Sequence, residues 1–119
     1  MALSITPQAS PLATRLVEET AATSTAENNV TGAAGSLYMV DVDNPNGTVV
    51  YLKIYDNAAP TIGTTPADWV FRIPASARRT FAMPLGLAFT ALSFAVVTGA
   101  DQASVAAPAS GVLVRLVTS

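Results

Sequence analysis

The chain has 119 residues, a formal net charge of −2, 50% hydrophobic residues and only 12% charged ones. It contains no Cys and no His, which excludes disulfides, thiolate metal sites, thiol nucleophiles and imidazole-based acid–base chemistry. Six Lys and Arg against eight Asp and Glu provide no basic field for a phosphate backbone. The length suits one domain, in which about two-thirds of the extended chain's surface can be buried.

Residues 1–11 carry Pro7 and Pro11 and read as an extended N-terminal arm. They lack the positive start and apolar run of a signal peptide. The remainder, 12–119, reads as a single domain. Residues 12–20 alternate loosely and suit a first strand. A helix is the rival there, although the run through Thr20 and Thr23 to Thr25 is poor helix material. Asn28-Asn29 and Gly32 to Gly35 punctuate the chain. Ser36 to Asp43 alternates as a strand, with Leu37, Met39, Asp41 and Asp43 on one face and Tyr38, Val40 and Val42 on the other. Asn44-Pro45-Asn46-Gly47 is a strong turn signal, and Val50, Leu52 and Ile54 alternate beyond it. This spacing predicts an antiparallel hairpin of 37–43 with 48–55.

A Pro- and Thr-rich loop follows over 56–66. Residues 69–73 alternate with Trp69, Phe71 and Ile73 inward. A short strand over 79–83 is expected to stop at Pro84, and Leu87 to Val97 to form one long strand. An Ala-rich loop over 100–110 precedes a last strand in which Val112, Val114 and Leu116 oppose Leu113, Arg115 and Val117. Seven or eight short strands separated by turns predict an all-β fold, a single antiparallel β-sandwich. The topology stays open between jelly-roll and immunoglobulin-like. The uncharged stretch from Thr80 to Ala100 is long enough for a membrane helix. Pro84, Gly86, Gly99 and its hydroxyl residues favour buried strands instead, so no membrane is expected.

No reaction emerges. Neighbouring Glu18 and Glu19 point to opposite faces of a strand, and no cleft is indicated that would separate the pKa values of Asp41 and Asp43. Without His the usual activated serine is unavailable. Asp41, Asp43, Asn44 and Asn46 form an oxygen-rich cluster, but Pro45 falls on a ligand position of the helix-loop-helix calcium pattern. A looser calcium site with Asp56 or Asp68 stays open beside the plainer reading of turn-forming Asx residues. Asn29-Val-Thr31 and Asn46-Gly-Thr48 match the glycosylation triplet by coincidence in a chain without a secretory signal. Arg78-Arg79 reads as solvated or interface charge. The aromatic residues Trp69, Tyr38, Tyr51, Tyr55, Phe71, Phe81, Phe89 and Phe94 read as core, with an exposed sugar-binding subset as the rival. The chain is expected to be no enzyme, with no catalytic, cofactor-binding or metal residues and no cofactor.

Three segments carry a resemblance. They are Val50-Tyr-Leu-Lys-Ile-Tyr-Asp-Asn-Ala-Ala-Pro-Thr-Ile-Gly-Thr-Thr-Pro66, a strand ending Ile73-Pro74, and Pro84-Leu-Gly-Leu-Ala-Phe-Thr-Ala-Leu-Ser-Phe-Ala-Val-Val-Thr-Gly-Ala-Asp101, followed by a short final strand. Over roughly 35–118 the chain resembles small β-sandwich virion proteins of tailed bacteriophages. The resemblance implies a capsid decoration (cement) protein on the outer capsid surface, self-associated as a trimer or dimer and bound to the major capsid protein, with no nucleic acid partner. It carries over no functional residues. The arm at 1–11 and the loops at 56–67 and 100–110 are the expected contacts. A tail, neck or fibre component and a small carbohydrate-binding module are the alternatives.

Overall fold

The computed structural model describes residues 15–119; the arm at 1–11 and the first residues of the expected 12–20 strand lie outside them. Among the described residues seven strands form: β1 (Arg15–Ala22), β2 (Gly35–Asn44), β3 (Val50–Asp56), β4 (Trp69–Ile73), β5 (Ala77–Phe89), β6 (Leu92–Val97) and β7 (Val112–Thr118). They make two antiparallel sheets, ordered β1-β7-β2-β5 and β4-β3-β6. The protein is an all-β sandwich.

A further segment extends the smaller sheet. Glu27 and Phe94 exchange backbone bonds of 2.9 and 3.1 Å, the Val30 N–H donates to Leu92 O at 2.8 Å, and the Val96 N–H donates to Thr23 O at 2.9 Å. Residues 23–30 thus lie along β6 as a sparsely bonded fourth member. With it included, the chain changes sheet at every connection except β3 to β4. That is the winding of a jelly roll. An immunoglobulin-like sandwich keeps several pairs of consecutive strands in one sheet.

The core lies between the sheets. Val40, Val42, Val112, Val114 and Leu116 from the larger sheet meet Val50, Leu52, Ile54, Leu92, Phe94 and Val96 from the smaller one, all at most 1% exposed. The alternation expected for β3, β4 and β7 holds. Phe71 on β4 and Phe81 on β5 close one side of the sandwich, with ring centroids 4.9 Å apart.

Three expectations fail. The hairpin of 37–43 with 48–55 does not form, because β2 pairs with β5 and β7 while β3 pairs with β4 and β6. Asn44 to Gly47 is a corner between sheets. Neither Asn46 nor Gly47 adopts the positive φ that a two-residue hairpin turn needs. Instead the Asn44 side chain donates to Thr48 O and Pro74 O, both at 2.9 Å, and accepts from the N–H and Nδ2 of Asn46, both at 3.0 Å. Second, Pro84 does not end a strand. β5 is a sheet edge, where a missing N–H is tolerated, and it runs from Ala77 to Phe89. The expected single strand over 87–97 is split at Thr90-Ala91 into the end of β5 and all of β6. The uncharged stretch from Thr80 to Ala100 is therefore divided between two strands. Among the described residues no helix is long and apolar enough to cross a membrane. Third, Leu37 leaves the face of Met39. The register shifts between them on both neighbours, so Leu37 joins Val40 and Val42 in the core. On β5 the same irregularity loops out the residues between Ala82 and Leu87, with Gly86 at φ 78°.

Candidate functional site

The larger sheet turns its second face outward, and its register lines up side chains from four strands. Leu16 of β1 pairs with Val117 of β7, Val117 with Met39 of β2, and Met39 with Ala82 of β5. Cross-strand partners share a face, so these four form an apolar row across the outer surface. Leu16 is 63% exposed, Ala82 is exposed, and Met39 and Val117 are half-buried.

The next row carries charge. Glu18 pairs with Arg115, Arg115 with Asp41, and Asp41 with Thr80. Arg115 Nε donates to Glu18 Oε2 at 2.6 Å, and its Nη1 lies 3.6 Å from Asp41 Oδ2. Arg78 grips Asp41 with two bonds, Nε to Oδ1 at 3.0 Å and Nη2 to Oδ2 at 2.6 Å, and the Thr80 hydroxyl donates to Oδ1 at 3.0 Å. The Arg78 bonds hold the Asp41 carboxyl below the usual carboxylate range against the opposing effect of burial, with Thr80 and Arg115 adding to the lowering. Glu18, Arg115 and Asp41 alternate in sign along the row, and Arg78, which pairs with Asp43 in the adjacent row, reaches Asp41 from there. Arg78, expected as solvated or interface charge, is bonded to Asp41 while its side chain stays 58% exposed.

The outer face of the smaller sheet is covered by the chain itself. Lys53, Tyr55, Ser93, Ala95 and Val97 point away from the core yet are at most 1% exposed. The loops at 56–67 and 100–110, expected to meet neighbours, interlock. Gln102 Nε2 donates to Thr64 O at 2.9 Å, Gly63 sits against Val105, and the Thr98 N–H donates to Ala106 O at 3.0 Å. The Lys53 ammonium donates to the Asp101 carbonyl beneath this cover, and burial lowers its pKa while the Asp101 charge opposes the shift. Val105 is still 55% exposed at the loop surface.

The Asx cluster separates into different roles. Asp41 is engaged by Arg78, and Asn44 by the corner. Asn46 bridges to the strand entering β7, donating Nδ2 to Ser110 O at 3.0 Å and accepting the Ser110 N–H at 2.7 Å. Asp56 and Asp68 sit at the other end of β3. There Asp56 Oδ1 accepts the N–H groups of Thr90 and Ala91 at 2.8 and 3.0 Å and so caps the β5–β6 turn. Those bonds hold its carboxyl below the usual range. Asp68 Oδ2 accepts the Asp56 N–H at 2.6 Å. Among the described residues no three Asp or Glu side chains converge as metal ligands do.

Of the aromatic residues, Tyr55, Phe89 and Phe94 are buried, and Trp69, Phe71 and Phe81 pack against the core. Tyr38 and Tyr51 are half-buried. The two outer rows escaped the sequence reading because they depend on strand order, and the predicted hairpin would have put β3 beside β2. Comparison of the chain with protein-family models, curated proteins and solved structures returns no match.

Proposed function

We propose that this chain is a structural virion protein of a tailed bacteriophage, a capsid decoration protein that self-associates on the outer shell and holds neighbouring major capsid subunits together. One observation carries the reading beyond the sequence resemblance. The exposed large apolar side chains are spread over separate surfaces. Leu16 lies on the outer face of the larger sheet, Leu85, 98% exposed, in the β5 bulge, Val70 on the outer side of β4, and Val105 on the covering loops. A cement protein touches several neighbours at once and needs apolar contacts on several sides. Specific association buries about 1,600 Å² in a typical pair, and many copies on a symmetric shell multiply the effect through avidity. The low charge content suits a surface that is covered in the assembled state.

A carbohydrate-binding module would gather exposed aromatic rings on one platform, whereas six of the eight rings here are buried or packed on the core. A tail, neck or fibre component would use the same sandwich at low copy number. Quantitative mass spectrometry of purified particles, scaled to the major capsid protein, tests the reading. Copy numbers on the order of hundreds per particle are expected for a shell component built on the symmetry of the capsid. A dozen or fewer copies would move the protein to the tail or neck. Its absence from particles would overturn the virion reading.

A further inference from the structure

We infer that Asn46-Gly47 is a self-modification site that the corner between the sheets holds shut: when the corner opens, the Asn46 side-chain amide is lost to attack by the Gly47 backbone nitrogen, and the acid that results cannot rebuild the corner. The dipeptide sets the chemistry. Gly47 has no Cβ to keep its nitrogen from approaching the preceding side chain. That nitrogen attacks Asn46 Cγ and gives up its proton to solvent. The Cγ–Nδ2 bond breaks, and Nδ2 takes up a proton and leaves as ammonia. One water then opens the five-membered imide on either side. Breaking the new Cγ–N bond gives aspartate. Breaking the original peptide bond gives isoaspartate, with the backbone rerouted through Cβ and Cγ. Water is the only co-reactant, and nothing is oxidised or reduced.

The closed corner blocks this reaction. Asn46 is 5% exposed, and all its polar atoms are engaged. Its N–H and Nδ2 donate to Asn44 Oδ1, both at 3.0 Å, and Nδ2 also donates to Ser110 O at 3.0 Å. Its Oδ1 accepts the Ser110 N–H at 2.7 Å, and its backbone carbonyl accepts the Ser76 N–H at 2.8 Å. Attack needs a side chain free to bring Cγ within about 3.5 Å of the nitrogen in the reactive direction. These bonds instead hold the amide against Asn44 and Ser110, and burial keeps water from the leaving nitrogen. Gly47 is exposed, and a Cβ built on it meets nothing within 4 Å, so the restraint lies in Asn46. The product is excluded from the same place. An ionised carboxylate only accepts hydrogen bonds, and here it would face Asn44 Oδ1 and Ser110 O, two acceptors that the amide had satisfied. Closing the corner would leave both short of a donor beside a negative charge. Each opening that ends in reaction is therefore recorded as one added negative charge.

The inference is independent of the virion reading and is tested on the purified full-length chain. The wild type is incubated in mildly alkaline buffer, either folded or in guanidinium chloride, and peptide mapping by mass spectrometry reads the conversion of Asn46. Rapid conversion in the denaturant and slow conversion in buffer are expected. The ratio of the two rates gives the fraction of time that the corner is open. Hydrogen exchange of the Ser110 N–H, which the Asn46 side chain holds, measures the same opening without the reaction. Conversion in buffer faster than that open fraction allows would overturn the inference, as would equal rates in the two conditions. Asn44→Ala is expected to speed conversion in buffer about thirtyfold, the effect of removing its two bonds to Asn46, and an unchanged rate would overturn the inference. Should that variant not fold, the exchange comparison on the wild type decides. Gly47→Ala is expected to keep the wild-type Tm and to lose most of the conversion in the denaturant. A wild-type rate there would show that the Gly47 nitrogen is not the nucleophile and overturn the assignment. Converted chain, separated by its added charge, is expected to refold with a lower Tm than unconverted chain from the same incubation. Equal values would overturn the exclusion of the product.

Discussion

Replacing Asn44 by Ala tests whether the Asx cluster is a structural corner. The side chain is 1% exposed and makes four hydrogen bonds, two donated and two accepted, all at 2.9 or 3.0 Å. A typical internal hydrogen bond contributes about 1 kcal/mol net, and buried partners left unpaired add to the cost. The expected loss is about 3–4 kcal/mol. A chain of 119 residues has a total stability of about 6–18 kcal/mol at the usual value per residue. Its unfolding entropy, about 250 cal/mol/K, converts the loss to a fall in Tm of about 12–16 °C. Trp69 is the only tryptophan and packs half-buried against the core, so urea unfolding followed by its fluorescence reports the same quantity. Asn28→Ala, at an exposed position, is the control and is expected within about 0.5 kcal/mol of wild type. A loss below about 1 kcal/mol for Asn44→Ala would refute the corner. The same titration in millimolar calcium is expected to leave the midpoint in place. A calcium-dependent rise that Asn44→Ala abolishes would show a cation site that the hydrogen bonds conceal.

Three further outcomes follow from single side chains. Gly86→Ala forces a positive φ on a side chain whose Cβ would lie 2.9 Å from Ser36 Cβ and from a Tyr38 ring carbon. It is expected to cost about 2 kcal/mol or more, against about 1 for Gly32→Ala, which has the same sign of φ and open space around it; equal losses in a thermal melt would refute the packing argument. Thr118 Oγ1 is buried without a hydrogen-bond partner, so Thr118→Val is expected to raise stability by about 1 kcal/mol, and a loss would show that the hydroxyl is engaged. Lys53 has a lowered folded pKa, so the unfolded chain binds more protons between that value and 10.5, and stability rises with pH across this window. Tyr55, raised by burial, acts in the opposite sense above pH 10. The wild type minus Lys53→Met difference isolates the lysine: the variant is expected to be the more stable at pH 7 and its advantage to shrink toward pH 10, and a constant difference would refute the buried-ammonium argument.

The strands were legible where alternation decides them. Val50, Leu52 and Ile54, and later Val112, Val114 and Leu116, show the period of two that a half-buried strand requires, and all six are in the core. Pairing was not legible. Asn46-Gly47 carries the composition of a hairpin turn, yet the side chains of Asn44 and Asn46 bind backbone of the 74–76 turn and of Ser110, which lie 30 and 64 residues on in the chain. A local signal cannot reveal partners so distant. The same long-range choice hid the strand that runs through Pro84, because a proline ends a central strand and is harmless at an edge. Only the sheet order says which of these β5 is.

The outer face of the larger sheet follows from that same choice. Once β2 crosses to pair with β7 and β5, Arg115 comes beside both Glu18 and Asp41, residues that are 97 and 74 positions away in sequence. A hairpin of 37–43 with 48–55 would instead have set Asp41 opposite Val50. The alternating row is therefore a product of jelly-roll winding rather than of any local motif. A substitution such as Glu18→Lys is then expected to cost the monomer little, because an exposed pair contributes at most about 1 kcal/mol.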